Sequence, residues 1–164
     1  MNDWSPDGQF ITFRNLLAGR LGSAWLLPLS GDRQPKPVPQ ADNRGGNGRF
    51  SPDGRWLAYQ SIEAGRSEVW VQPFPPTGAK WPVSREGGER VRWRRDGKEL
   101  FYINPGGILM AAPVVAGPTF QPGTPAPLFD LKFSPVGLNA YPYDVSADGQ
   151  RFLVIAPRDD VAEP

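Results

Sequence analysis

Four Asp-Gly pairs recur along this chain of 164 residues, each set between short apolar runs. They are Trp4-Ser-Pro-Asp-Gly8, Phe50-Ser-Pro-Asp-Gly54, Trp93-Arg-Arg-Asp-Gly97 and Val145-Ser-Ala-Asp-Gly149, with the aspartates 46, 43 and 52 residues apart. Self-similarity at a nearly fixed interval of this size is the mark of a repeat architecture, in which one supersecondary unit is copied and stacked. Asp-Gly is itself hairpin chemistry: glycine accepts the positive φ that tight turns require, and aspartate bonds back to nearby amides. Asp7, Gly8, Asp53, Gly54, Asp96, Gly97, Asp148 and Gly149 are therefore read as structural turn residues, each joining a first strand to a second.

After each turn comes a run with strand character: Phe10-Ile-Thr-Phe13, Trp56-Leu-Ala-Tyr59, Leu100-Phe-Tyr-Ile103 and Phe152-Leu-Val-Ile155. Aromatic and branched residues bounded by turn chemistry favour strands. A third strand follows in three of the copies, Ala24-Trp-Leu-Leu-Pro28, Val69-Trp-Val-Gln-Pro73 and Leu109-Met-Ala-Ala-Pro113, and in each a large residue precedes the proline by three. Such a proline either ends regular pairing or sits where its missing N–H faces no partner. Fourth strands are weaker, around Lys36 to Gln40, Lys80 to Ser84 and Ala126 to Phe129, where several prolines suit an outer edge.

Four strands per copy at intervals near the roughly 40–50 residues of a propeller blade predict an all-β chain of β-propeller type. The count is about four blades, three full four-stranded repeats plus a half repeat, and a fragment of a larger propeller fits it equally. One domain is expected over 1–164, with repeats at approximately 1–40, 41–84, 85–130 and 131–164, the last incomplete. No helix is expected; the stretch from Phe13 to Leu21 reads as a connection. The 19 glycines and 20 prolines then mark dense turns rather than disorder.

Net charge is +1 and neither cysteine nor histidine occurs. The balance of charge provides no global field for nucleic acid or an anionic membrane. The missing residue types remove disulfides, thiolate nucleophiles, the usual general base and the usual nitrogen ligand of transition metals. No catalytic residue, metal site or cofactor is assigned. The start, Met1-Asn-Asp-Trp-Ser-Pro, has no basic region or apolar stretch of a signal peptide. The run from Ile108 to Pro118 is too short to span a bilayer, which takes about 20 residues, so no direct membrane insertion is expected.

The Trp/Phe-Ser-Pro-Asp-Gly-x-x-Leu-Ala-Tyr cores, best kept at Phe50 to Tyr59 and Trp4 to Phe13, resemble the TolB-type, or PD40, WD40-like β-propeller repeat. Glu68 to Pro75, Val91 to Tyr102 and Tyr143 to Phe152 are further similar to the propeller that follows the kinase and membrane segments of some bacterial serine/threonine kinases. The third repeat departs from the pattern with Arg94-Arg95 for Ser-Pro, and the fourth with Ala147 for Pro. The resemblance implies a fold and a usual role in recognition, in a periplasmic or extracellular setting. It implies no activity, since propellers host many unrelated functions.

Candidate sites are weighed against plainer roles. The four turn aspartates occupy the same place in separate repeats, so turn chemistry outweighs a calcium or acid–base cluster. Trp4, Phe50, Trp56, Trp70 and Trp93 could stack sugars or bases, but their recurrence favours inter-blade core. Four residues before each turn aspartate stand Asp3, Arg49, Arg92 and Asp144, on the strand nearest the axis, which suggests axial ion pairs of Asp3 with Arg49 and Arg92 with Asp144. A polar floor for an anionic or sugar-like ligand is the functional alternative. Arg90, Arg92 and Arg94 share a strand face, but Glu86, Glu89, Asp96 and Glu99 offset them.

Binding is expected at the loop-rich face opposite the Asp-Gly turns, with Asn47, Arg49, Glu63, Arg66, Arg92, Asn139 and Tyr143 as contacts for a peptide, a protein or a small polar ligand. The chain is thus read as a non-catalytic recognition module. Two rivals stay open: the propeller part of a hydrolase or lyase whose catalytic residues lie elsewhere, and a structural module completed by self-association, a homodimer through the incomplete blade.

Overall fold

In a computed structural model, the chain is described at residues 2–15, 22–38, 45–63, 65–116, 119–132 and 141–155. These residues form antiparallel sheets and no helix, which is the all-β architecture read from the sequence. In the first sheet, β1 (Asp3–Trp4), β2 (Phe10–Asn15), β3 (Ser23–Pro28) and β4 (Lys36–Pro37) lie side by side in chain order. The second repeats this with β5 (Gly45–Phe50), β6 (Trp56–Glu63), β7 (Arg66–Pro73) and β8 (Trp81–Pro82). The third has β9 (Glu89–Trp93), β10 (Glu99–Ile103), β11 (Ile108–Ala116), β12 (Phe120–Pro122) and β13 (Ala126–Asp130). The last pairs β14 (Tyr143–Val145) with β15 (Phe152–Val154).

Each Asp-Gly turn closes the same way. Gly8, Gly54, Gly97 and Gly149 have φ of 72°, 72°, 74° and 74°, the left-handed region that a side chain resists. In three turns a serine hydroxyl donates to the aspartate, Ser5 to Asp7, Ser51 to Asp53 and Ser146 to Asp148, at 2.5–2.6 Å. The same hydroxyls accept the amides of Phe10, Trp56 and Arg151. In the third repeat Arg94 takes over, and its guanidinium grips both oxygens of Asp96 at 2.8 Å.

These bonds favour the ionised carboxylates. The Ser5 and Ser146 hydroxyls hold Asp7 and Asp148 below the usual range, and the Arg94 guanidinium takes Asp96 down to about 2. A carboxyl depressed on folding stabilises above its unfolded value, and that contribution is lost as pH falls through the folded value. The urea midpoint is therefore expected to be flat near neutrality and to fall from about pH 4 towards about pH 2. Asp96→Asn should flatten the lowest part of that profile, and a wild-type midpoint unchanged down to pH 2 would contradict the assignment.

Successive sheets pack face to face. Ala24, Leu26 and Val38 of the first repeat bury Phe50, Leu57 and Tyr59 of the second. Trp56, Val69, Val71 and Val83 in turn bury Trp93, Leu100 and Tyr102 of the third. Phe101, Leu109 and Ala111 receive Tyr143, with Val145, Phe152 and Val154 packed against them. Hydrogen bonds cross between neighbours as well, a buried one from the Thr12 hydroxyl to the Gly48 carbonyl at 2.8 Å and a partly buried one from the Trp93 indole to the Arg49 carbonyl at 3.1 Å. A Cβ at Gly48 would stand 3.2 Å from the Thr12 methyl, a tight contact that would make the neighbouring sheet give by a few tenths of an ångström.

Several expectations are corrected. Trp4, expected in the core with its equivalents, is 54% exposed, whereas Phe50 and Trp93 are 5% and 9%. The residue at this position always packs on the preceding sheet, and Trp4 has no preceding sheet among the described residues. The fourth strands of the first two sheets shrink to two residues each, 36–37 and 81–82, as prolines restrict the ladder. Of the two alternatives for the prolines, Pro113 does not end its strand, since β11 runs on to Ala116, and what the sequence did not indicate is the added strand β12 paired with it.

Candidate functional site

The first strands of neighbouring sheets approach one another, β1 beside β5 and β5 beside β9. At their Asp-Gly ends they enclose an open cleft of about 350 Å³ lined by Asp3, Arg49, Arg92, Arg95 and Asp144, with Phe50, Trp93 and Val145 as its apolar part. Alternation along each strand explains this composition. Phe50, Trp93 and Val145 turn into the sheet interfaces, while the preceding residues, Arg49, Arg92 and Asp144, turn towards the cleft.

The charges in the cleft are largely paired. Arg49 lies 3.6 Å from Asp3, whose other oxygen accepts the Phe50 amide at 2.8 Å. Arg92 lies 3.2 Å from Asp144 and donates to the Tyr143 carbonyl at 3.0 Å. Between the two arginines sits Tyr141, with guanidinium carbons 4.4 and 4.6 Å from its ring centre, within cation–π range. Burial works against the Arg49 charge, yet Tyr141 and then Asp3 outweigh it and its pKa stands above the ordinary arginine value. Burial raises Tyr141 above the usual phenol value, against the lowering effect of Arg49 and Arg92.

Arg95 differs from its neighbours. It takes the place that Pro6, Pro52 and Ala147 hold in the other repeats, it is exposed, and it has no acidic partner among the described residues. The Asp144 side chain, which lines the same cleft and pairs with Arg92, is 62% exposed. Among the described residues the cleft therefore presents one guanidinium without an acidic partner and two paired ones, with no histidine or cysteine available in the chain. Its polar lining is completed by the carboxylates of Asp3 and Asp144 and by Ser146.

The residues assigned to the opposite, loop-rich face do not gather into one site. Asn47 has φ 58° and is held by Gln60 at 2.5 Å and by Asn2 at 2.7 Å. Arg66 is bonded to Glu68 and to the Arg85 carbonyl, so it too is engaged. Tyr143 is 2% exposed and its hydroxyl reaches the carbonyls of Arg90 and Phe101 at 2.7 and 3.0 Å. Burial raises its pKa well above the phenol range, and a contact to ligand is corrected to a structural tie between the last two sheets. Asn139 and the Glu63 side chain lie outside the described residues. Arg49 and Arg92 alone of that set line the cleft, which opens at the Asp-Gly end.

Sequence reasoning passed over Arg95 and Tyr141. The signal for Arg95 was present, as a cation where the repeat has proline, but it reads at first as a departure that the turn survives. Tyr141 lies in the last repeat but ahead of its first strand, β14, and belongs to no strand, so periodicity does not mark it. Among the described residues no cluster of three metal-ligating side chains occurs.

No family model matches the chain, and no curated protein is detectably similar to it in sequence. Its fold has clear counterparts. TolB from Acinetobacter baumannii superimposes with a TM-score of 0.62 at 22% identity, over 93% of this chain and 36% of that one. A protein of Agrobacterium tumefaciens assigned to TolB gives 0.61 at 16% identity, over 79% of this chain and 48% of that one. A Bacteroides uniformis protein assigned as a 6-phosphogluconolactonase gives 0.51 at 20% identity, over 93% and 46%. The chain spans between a third and a half of the length of these structures, and over that span it has the fold of a TolB-like β-propeller.

Proposed function

We propose that this chain is a non-catalytic recognition module that engages a protein or peptide partner by seating an acidic group of it in the cleft between the first strands. The observation that carries this is Arg95: a guanidinium at the cleft mouth with no acidic partner among the described residues, backed by the paired Arg49 and Arg92. An incoming carboxylate gains a charge-assisted, geometrically matched hydrogen bond there. It also meets aromatic and aliphatic surface from Trp93 and Val145. The usual role of the family the sequence resembles points the same way.

Fluorescence anisotropy with labelled peptides tests it. An acidic hexapeptide with a free carboxyl terminus is expected to bind saturably, and its amidated all-glutamine counterpart at least tenfold more weakly. Arg95→Ala should weaken the acidic peptide by about tenfold, as expected for one hydrogen bond to a charged group. Equal binding of both peptides, or an Arg95→Ala protein as good as wild type, would remove the reading. The second reading, suggested by the neighbour assigned as a 6-phosphogluconolactonase, is hydrolysis of a phosphorylated sugar lactone. Turnover of that lactone by the purified chain, abolished by Arg92→Ala, would favour it instead.

A further inference from the structure

Away from the cleft, four of the six exposed large apolar side chains among the described residues crowd the last sheet and its neighbour: Leu128, Phe129, Leu153 and Ile155, at 43%, 38%, 74% and 51% exposure. Between β13 and β15 lies a hollow of about 400 Å³, lined by Phe101, Ala111, Leu128, Phe129 and Phe152 among others. Beside it, β15 pairs with β14 on one edge and with no strand on the other among the described residues. Leu153 faces Asp144 in the ladder, and the Arg151 carbonyl and the Ile155 amide are bonded to Ser146 and Pro142. By the alternation of antiparallel bonding, the amides and carbonyls of Phe152 and Val154 therefore point to the free edge.

In the full repeats this edge is occupied. The second strand pairs with a third whose large residue stands opposite the equivalent of Val154: Trp70 opposite Tyr59, and Met110 opposite Tyr102. That large side chain then packs back on the preceding sheet, Trp70 against Ala24, Leu26 and Val38, Met110 against the cluster of Val69, Val71 and Val83. The corresponding surface of the third sheet is formed by Leu109, Ala111 and Leu128, and Ala111 and Leu128 line the hollow. This edge, unpaired among the described residues, and the hollow thus continue an interface that the chain already builds twice.

We propose that the free edge of β15 and the hollow beside it form a strand-addition site for an extended segment of another polypeptide. The segment has third-strand chemistry: alternating apolar residues with one tryptophan or methionine three residues before a proline. The ladder to Phe152 and Val154 supplies affinity, and the large side chain seated on Ala111 and Leu128 supplies register and selectivity. Binding covers the apolar patch that is exposed among the described residues of the last sheet and its neighbour.

The probe is a labelled peptide copying residues 66–73, Arg-Ser-Glu-Val-Trp-Val-Gln-Pro, titrated into the full chain by anisotropy, with hydrogen exchange read at the Phe152 and Val154 amides. Saturable binding is expected, with both amides slowed at least tenfold. A peptide with aspartate in place of its tryptophan should bind at least tenfold more weakly. Val154→Pro removes the outward N–H, together with a side chain packed on the third sheet, and Leu128→Asp charges the hollow; each should weaken the peptide tenfold or more, while Trp4→Ser should not. Circular dichroism checks that the variants fold, and if Val154→Pro does not, Leu128→Asp decides. Amides already protected without peptide, because the chain's own 156–164 or a second copy fills the edge, would overturn the proposal. So would equal affinity for the wild-type and Leu128→Asp proteins.

Discussion

Phe101→Ala is expected to lower the unfolding free energy by about 3–5 kcal/mol, the cost of emptying a fully buried aromatic site. Leu153→Ala, at the same place in the last repeat, is expected to cost less than about 0.5 kcal/mol. Both residues stand five after their turn aspartate, with Thr12 and Ala58 as the other two copies. Exposure at the four positions is 0%, 0%, 1% and 74%. This side of each sheet is covered by the following one: the Thr12 hydroxyl bonds to Gly48, Ala58 joins the cluster of Trp93 and Leu100, and Phe101 meets Phe152 edge-on at 5.1 Å. No described sheet follows Leu153. Total stability of a chain this size is roughly 5–15 kcal/mol, so the Phe101 variant should show a large drop in urea midpoint and loss of protection in β14 and β15. Equal losses at the two sites would mean that the face of Leu153 is covered in solution, which also bears on the exposed patch around β15.

The contrast between Phe101 and Leu153 marks how far the sequence carries. Turn and strand chemistry are local: Asp-Gly with its helper serine, four-residue aromatic runs, and a large residue three before a proline each specify an element without reference to distant chain. These made the propeller fold legible. Burial is not local. Trp4, Phe50 and Trp93 look alike in sequence, and only the presence of a preceding sheet separates 54% exposure from 5% and 9%. The third repeat shows a related limit: local chemistry leaves open whether Pro113 ends its strand, and the structure places it within β11, opposite Glu99, where its neighbours supply the pairing. The cleft was the least legible part. It brings Arg49, Arg92 and Arg95 together from two different repeats with Tyr141, and a guanidinium in a proline's place shows its use only once the strands converge.

Glu68 is a second case of a role that periodicity hides, and Glu68→Ala is expected to cost about 3 kcal/mol, several times a surface substitution. It sits in β7 between Ser67 and Val69 and reads as a solvent-facing strand residue, yet it is 6% exposed. Its carboxylate accepts the Gly87 amide at 3.0 and 3.1 Å, the Ser84 hydroxyl, and the Arg66 guanidinium at 2.6 Å. It thereby anchors the 84–88 connection, where Gly87 takes φ 99° and a Cβ would fall 2.4 Å from the Pro105 ring. The Tyr102 hydroxyl is pushed up to about 12 by burial, with the Glu68 charge adding to it. Alanine would leave a buried amide and a buried hydroxyl without acceptors, each a cost of roughly 1–3 kcal/mol, while Arg66, 59% exposed, returns to water. Glu68→Gln keeps one acceptor oxygen and should recover part of the loss. Equilibrium unfolding of the two variants checks this: Gln intermediate and Ala lowest is the expected order, and an alanine variant within 0.5 kcal/mol of wild type, the range of an ordinary surface change, would show that the carboxylate is not what holds the connection in place.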